Sequence, residues 1–485
     1  MLAHQKLTPP PEPWSEPAPS HALLGGGITR RLEHGSYLSY SLQNGITVHL
    51  LHTPHQSAAH VSLLIPVGRI HDPVQHPGLA HSLEHLLLMA PGHLPNLVAT
   101  QKFKEQLEID NNAVTGLFST RFHADCPARS LPAAIDFVSH LVFRSDFSDQ
   151  RRQHETEVIR KERRQPSEAL TLNIGERNLT SLIFPKHITP ALSVIGTDAA
   201  LASCSVETYK KFWAELYQPR LAHLIVFGDL SANIEHVIER NLSRVPNQGK
   251  AIAASTLSPD WHAEWHKNPG QPRVTIASPP GMHGVQLHLA LPGVLMDSPL
   301  RPAFEVVRDY FRAPDGWTAK VARGKHALVY GIQASTFDVP GASALQLNTT
   351  VSSVSEANSL ILHLADFLDG VSAGKFYDPI QAFARRSFGH AFPTYHNPHR
   401  LGEALMTCKR CILQDDLRPG VWSLNSEHLK AMASHMRSAA LVSLSGASEE
   451  INADTAASIE QGLLQAGFAG EARTVPPVLW DEMRL

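Results

Sequence analysis

The chain lays out one structural plan twice. HVSLLIPVG, residues 60–68, reads as a buried strand closed by glycine, and VQLHLALPG, residues 285–293, repeats the pattern. A helix follows each strand, GLAHSLEHLLLM after the first and RPAFEVVRDYFRA after the second. Strand-like segments come next in both halves, NNAVTGLFSTRFHADC in the first and LVYGIQAS and SALQLNTTVSS in the second, and then further helices. A strand apolar at successive positions must be covered on both faces, and alternating strands and helices pack as layers. At 485 residues the chain is also too long for one hydrophobic core. These features predict an α+β protein of two homologous α/β-sandwich domains.

The boundaries follow from composition. Residues 1–30 read as a proline-rich N-terminal arm, 31–245 as the first domain, 246–272 as a linker of proline, glycine, serine and alanine, and 273–485 as the second domain. Within the first, YSLQNGITVHLLHT reads as a hairpin turning at Asn44-Gly45. The run SDQRRQHETEVIRKERRQ reads as a long charged helix capped by Ser148.

Charge and composition narrow the partners. The formal net charge is −3, so no basic excess argues for nucleic acid or an anionic membrane. No stretch approaches the roughly 18 apolar residues of a membrane span. The N-terminus lacks the basic start and apolar middle of a secretory signal, and it carries Glu12 and Glu16 without arginine. Four cysteines are too few for a disulfide scaffold and suit a reducing compartment. A cytoplasmic protein is expected. Cys408 and Cys411 form a lone CxxC, read here as two thiols one helical turn apart.

His81-Ser82-Leu83-Glu84-His85 carries the chemistry. Residues four apart on a helix share a face, so two imidazoles there can converge on one metal ion. Glu84 projects near that face, where a carboxylate can take a proton from water and pass it to a leaving amine. With 29 histidines in the chain, such a pattern arises by chance in roughly one chain in ten by composition alone. A catalytic zinc site needs a third protein ligand and an open fourth position. Glu162, on the charged helix, is the natural candidate, and Glu155 lies almost on the same helical face to orient a ligand. The same run also reads as a solvated helix rich in Glu and Arg.

Together these residues resemble the pitrilysin/insulinase family of metallopeptidases, the inverzincins with an H-x-x-E-H motif. The resemblance extends to Asn112-Ala113-Val114-Thr115 with Thr120 and Phe122, similar to the family's active-site edge strand. It extends also to PALSVIGTDAAL and YKKFWAELYQPRLAHLIVFGDL, and to Arg323 and Tyr330, which have the spacing of the family's arginine and tyrosine pair. It is clear over about residues 37–350 and is nearest the short, two-domain, mitochondrial-processing-peptidase-like bacterial peptidases. The chain departs from the family at Ala90-Pro91-Gly92 and at Asp110-Asn111, where glycines are common.

The resemblance implies a zinc-dependent endopeptidase with one Zn2+ per chain, held by His81, His85 and Glu162, with Glu155 supporting and Glu84 as base. It implies that Asn112, Ala113, Val114 and Thr115 pair with an extended peptide substrate, and that Tyr330 and Arg323 act on the substrate. Four such domains enclose a clamshell chamber in the family. A two-domain chain is therefore expected to pair with a second chain, as a homodimer or as a heterodimer with a related member, and to admit small or unfolded peptides. The opposing expectation is a non-catalytic partner subunit.

Overall fold

Six residues on either side of the Asn44-Gly45 turn form the strands of the predicted hairpin, β2 (Tyr37–Leu42) and β3 (Thr47–His52). Gly45 turns with φ +94°, and a side chain there would drive into Arg220. The computed structural model describes residues 28–34, 37–88, 92, 94, 96–145, 147–164, 195–247, 274–278, 284–389, 398–408, 420–447 and 451–468. The proline-rich arm up to residue 27, most of the linker and Cys411 lie outside the described residues, as does the side chain of Cys408.

The first half builds a seven-stranded sheet. To the hairpin are added β1 (Ile28–His34), β4 (Ala58–Ile65), β5 (Asp110–Thr115), β6 (Thr120–Pro127) and β7 (His223–Gly228), in the order β1-β2-β3-β7-β4-β6-β5. Its helices are α1 (Leu79–Leu88), α2 (Leu97–Leu107), α3 (Leu131–Phe143), α4 (Asp149–Arg164), α5 (Asp198–Ser203), α6 (Val206–Leu216) and α7 (Ile234–Leu242). Ser148 supports the start of α4 as expected, accepting from the Arg151 amide at 3.2 Å.

The second half contributes β8 (Val274–Ala277), β9 (Val285–Pro292), β10 (Gln333–Val339), β11 (Ala342–Val351) and β12 (Leu441–Ser445), in the order β10-β11-β9-β12-β8. Its helices are α8 (Arg301–Arg312), α9 (Val354–Ser372), α10 (Tyr377–Gly389), α11 (Pro398–Cys408), α12 (Ser426–Met436) and α13 (Ala453–Gln465). The strand expected across LVYGIQAS begins only at Gln333, because the chain before it leaves a π-helical turn, Thr318–Arg323, through a loop with Ala327 at φ +53°.

The two sheets share one topology. With β1 and β2 set aside, β3 runs parallel to β7, β7 antiparallel to β4, β4 to β6 and β6 to β5, and β8, β12, β9, β11 and β10 repeat those pairings in the same order. The expected duplication is thus visible in strand order, although the sequences have diverged. The chain has a two-domain α/β fold with mixed sheets, and the halves interlock. Leu401 and Leu405 of α11, from the second half, pack on Leu51, Ile225 and Phe227 of the first sheet. Their in-strand neighbours Leu50, Leu224 and Val226 face the other way, into the core shared with α1 and α3. None of the described helices is long and apolar enough to cross a membrane.

α8 holds the same place in the second half that α1 holds in the first. Where α1 carries His81 and His85 as its third and seventh residues, α8 carries Ala303 and Val307, both buried, and Arg301 and Glu305 stand in its first turns. Arg301 is buried and donates to Glu305 at 2.6 Å, to both oxygens of Asp338 on β10 at 2.7 Å, and to the Val294 carbonyl at 2.9 Å.

Two buried histidines, His49 and His288, and the half-buried His223 predict an acid-sensitive fold. His49 receives or gives hydrogen bonds at Tyr37 Oη (2.7 Å) and His223 (3.0 Å), and His288 bonds Asn348 at 3.0 Å. Burial drives His223 and His288 down from the ordinary 6.5 to about 4, and burial with His223 nearby lowers His49 as well. The unfolded chain therefore binds protons that the folded chain refuses, so stability present above about pH 6.5 is lost as pH falls toward 4. Melting temperature is expected to fall across this window, and His288→Gln to flatten part of the slope. An unchanged slope in that variant would remove His288 from the account.

Candidate metal centre

The site begins with the placement of α1. Asp72 accepts hydrogen bonds from the Gly78 amide at 2.7 Å and the Ala80 amide at 2.8 Å, satisfying donors that the first turn leaves open. Gly78 sits at φ +89° with its Cα side facing the Ile195 carbonyl, which leaves no room for a side chain. Burial raises the Asp72 carboxyl to about 7, against the pull of those amides and of Arg69. The apolar residues Leu79, Leu83, Leu86 and Leu87 anchor the helix in the core. His81, Glu84 and His85 are left on its remaining face.

α4 crosses α1 and presents Glu155, Ile159 and Glu162 along one stripe, as spacings of four and three dictate. Glu155 and Ile159 are buried and Glu162 is exposed. His81 Nε2 lies 3.9 Å from Glu162 Oε1, and His85 Nε2 lies 3.4 Å from Glu162 Oε2. One ligand atom from each residue lies within 4.8 Å of the other two. Bonds of 2.0–2.1 Å in a tetrahedron place ligand atoms about 3.4 Å apart, so these separations suit one small cation. The imidazoles meet edge to face, centroids 4.7 Å apart. Glu155 Oε2 faces His85 Nδ1 at 3.5 Å, an arrangement that fixes the ring with Nε2 toward Glu162.

Charges in the site oppose one another. Burial, then the charge of His85, lowers His81 to about 4, against the attraction of Glu162. Burial also works against a charged His85, but hydrogen bonds to Glu155 and Glu162 and the charge of Glu84 outweigh it and raise that group to about 9. The His85 contact holds Glu162 below the usual carboxylate range. A metal ion binding here would displace the His85 proton and take over its role of balancing the carboxylates.

Glu84 is buried, which raises its carboxyl, while the hydroxyl of Thr115 opposes the shift. Thr115 Oγ1 donates to Glu84 Oε2 at 2.5 Å. This contact was not legible in the sequence, where Thr115 reads as one of four residues along a docking strand. β5 is the edge strand, paired only with β6. Its alternation turns Ala113 and Thr115 inward and leaves Asn112 and Val114 exposed. Asp72 was likewise missed, since six residues of loop separate it from the amides it caps.

Arg323 and Tyr330 are brought together but not to this cluster. The guanidinium lies 4.6 Å from the centre of the tyrosine ring, on a surface where Tyr330 is 86% exposed. Among the described residues, neither makes a hydrogen bond or ion pair to His81, His85 or Glu162.

Comparison with known proteins agrees with this architecture. Residues 47–189 match the family model described as insulinase (peptidase family M16), and residues 203–376 match the peptidase M16 inactive domain. The chain is 24% identical over 241 residues to the peroxisomal insulin-degrading enzyme-like 1 of Arabidopsis thaliana, covering 48% of this chain and 25% of that protein. It is 22% identical over 225 residues to the zinc protease YmxG of Bacillus subtilis, which is uncharacterised, covering 46% and 54%. The chain therefore matches these relatives over only part of their length. Among solved structures, a protease from Helicobacter pylori superposes with a TM-score of 0.70 at 15% identity, over 84% of this chain and 99% of that one. The periplasmic protease PqqL from Escherichia coli superposes at 0.67 and 17%, over 92% of this chain and 52% of PqqL.

Metal analysis tests the cluster directly. One zinc per chain is expected in the unaltered protein, with strong loss in both His81→Ala and Glu162→Gln. Unaltered zinc content in both variants would dissolve the assignment.

Proposed function

This chain belongs to peptidase family M16, the insulinase family, and we propose that it is a zinc-dependent endopeptidase acting on small or unfolded peptides. The observation that carries the reading is the meeting of His81, His85 and Glu162 beside a buried, oriented Glu84. Zinc, when bound, lowers the pKa of water and polarises a carbonyl. Glu84 accepts the proton of the attacking water through its second oxygen and returns it to the leaving amine. His85 is kept in register by Glu155. The open edge of β5 offers main-chain donors and acceptors to an extended peptide, which gives affinity with little demand on sequence. Arg323 and Tyr330 supply a charge and a hydroxyl to the tetrahedral oxyanion or the substrate backbone.

The last two roles require a second chain. The pair lies outside the cluster of its own chain, and one copy of this fold covers about half of PqqL, 52%. A homodimer would then contain two complete sites. A heterodimer with a related member, in which this chain serves as a structural partner, is the second reading. The match of residues 203–376 to a domain described as inactive leaves that reading open.

Glu84→Gln separates binding from chemistry. Zinc content and peptide affinity are expected to persist while turnover drops by about two orders of magnitude or more. A variant cleaving at the parent rate would remove Glu84 as the base. Mixing Glu84→Gln with Tyr330→Phe, each inactive alone, tests the assembly. Partial return of activity is expected, since one site of a mixed dimer recovers both groups. Confirmed subunit exchange without recovery would refute the shared site, and dependence on a second related protein would favour the heterodimer.

A further inference from the structure

A single hydroxyl joins the peptide-docking edge to the proposed base. Thr115 ends β5, its side chain is buried, and its Oγ1 donates to Glu84 Oε2 at 2.5 Å. A carboxylate on a free side chain can rotate between several equivalent contacts. With Oε2 held by a residue of the sheet, Oε1 is the oxygen that this contact leaves for another partner.

The position of that hydroxyl is closely set. Thr115 pairs with Thr120, and the turn between them closes with a Gly116 amide to Ser119 carbonyl bond of 2.8 Å. The Arg69 amide bonds the Gly116 carbonyl at 3.1 Å and the Ile70 amide bonds the Leu117 carbonyl at 3.0 Å. Gly68 makes this approach possible, for a Cβ there would lie 2.5 Å from the Gly116 carbonyl oxygen. Two residues beyond Ile70, Asp72 caps α1, so Thr115 and Glu84 take their positions from one segment. From outside, Leu117 and Phe118 of the turn pack on Val339 and Ala342 of the β10–β11 hairpin.

We propose that Thr115 is a positioning residue for Glu84, through which a peptide pairing with β5 sets the orientation of the carboxylate that takes the proton. The role rests on the reading of Glu84 as the base. It assigns Thr115 a side-chain task in turnover rather than a main-chain task in binding.

Thr115→Val keeps the shape and removes the hydroxyl, and Thr115→Ser restores it. In the full-length, zinc-loaded protein, the valine variant is expected to keep its zinc content and melting temperature. Its KM for an extended peptide should stay within about twofold, while kcat falls about 10- to 100-fold, as misplacement of a reacting group does. Serine should recover most of the loss. Full kcat in the valine variant, a change confined to KM, or a serine variant as impaired as valine would each overturn the role. A crystal structure of Thr115→Val supplies a readout independent of turnover. The Glu84 carboxylate is expected to leave its position, and an unmoved carboxylate overturns the proposal. A zinc-loaded parent that cleaves no peptide would instead refute the proposed function, and the crystallographic comparison would still decide the Thr115 contact.

Discussion

Asp72 holds the amides of Gly78 and Ala80, and the segment that carries it, from Gly68 onward, decides where everything chemical in this protein sits. One end of the segment is welded by two main-chain hydrogen bonds to the turn after β5. The other end fixes the first turn of α1. The metal-type histidines and the edge strand are therefore referenced to the same short stretch of backbone. A shift at Gly68 would move the docking edge and the helix relative to each other. Glycine at 68 and 78 is demanded by close approach to carbonyls rather than by any chemistry of its own.

The two halves show how one topology accommodates opposite electrostatics. α1 follows β4 and α8 follows β9, equivalent strands of the two sheets, and each helix packs beside an edge strand. On α1, two imidazoles can exist neutral and lend lone pairs to a cation that also answers Glu162. On α8, Arg301 carries its charge at every accessible pH and is matched by Glu305 and Asp338. A buried charge must be paired to be tolerated, and an arginine already pairs these carboxylates. The β10–β11 hairpin of the second sheet serves as the wall that supports Leu117 and Phe118.

Much of this was legible before the structure. The strands at 60–68 and 285–293, the Asn44-Gly45 turn and the helix bearing His81 and His85 all follow from local periodicity and turn chemistry. Glu162 and Glu155 were legible as candidates because spacing along one helix fixes a shared face. The bond from Thr115 to Glu84 was not, because inward and outward positions on an edge strand depend on register against β6. Nor was the Arg301–Asp338 pair, whose members lie on separate elements brought together only by the order of the second sheet. The reading of LVYGIQAS as strand failed where a π-helical turn and a left-handed Ala327 delay the start of β10.

The sequence by itself determined that His81 and His85 would share a face, that Glu84 would stand beside them, and that two copies of one strand–helix plan would be needed to bury the chain. Those are consequences of a 3.6-residue helical period and a two-residue strand period, which act over a few neighbours. Tertiary structure alone decided that α4 would cross α1 closely enough for Glu162 to lie 3.4 Å from His85 and 3.9 Å from His81. It also decided that Thr115 would turn inward onto Glu84, and that Arg323 would lie over the ring of Tyr330. Contacts between elements distant in sequence follow from sheet order and helix crossing, which no local pattern of residues encodes.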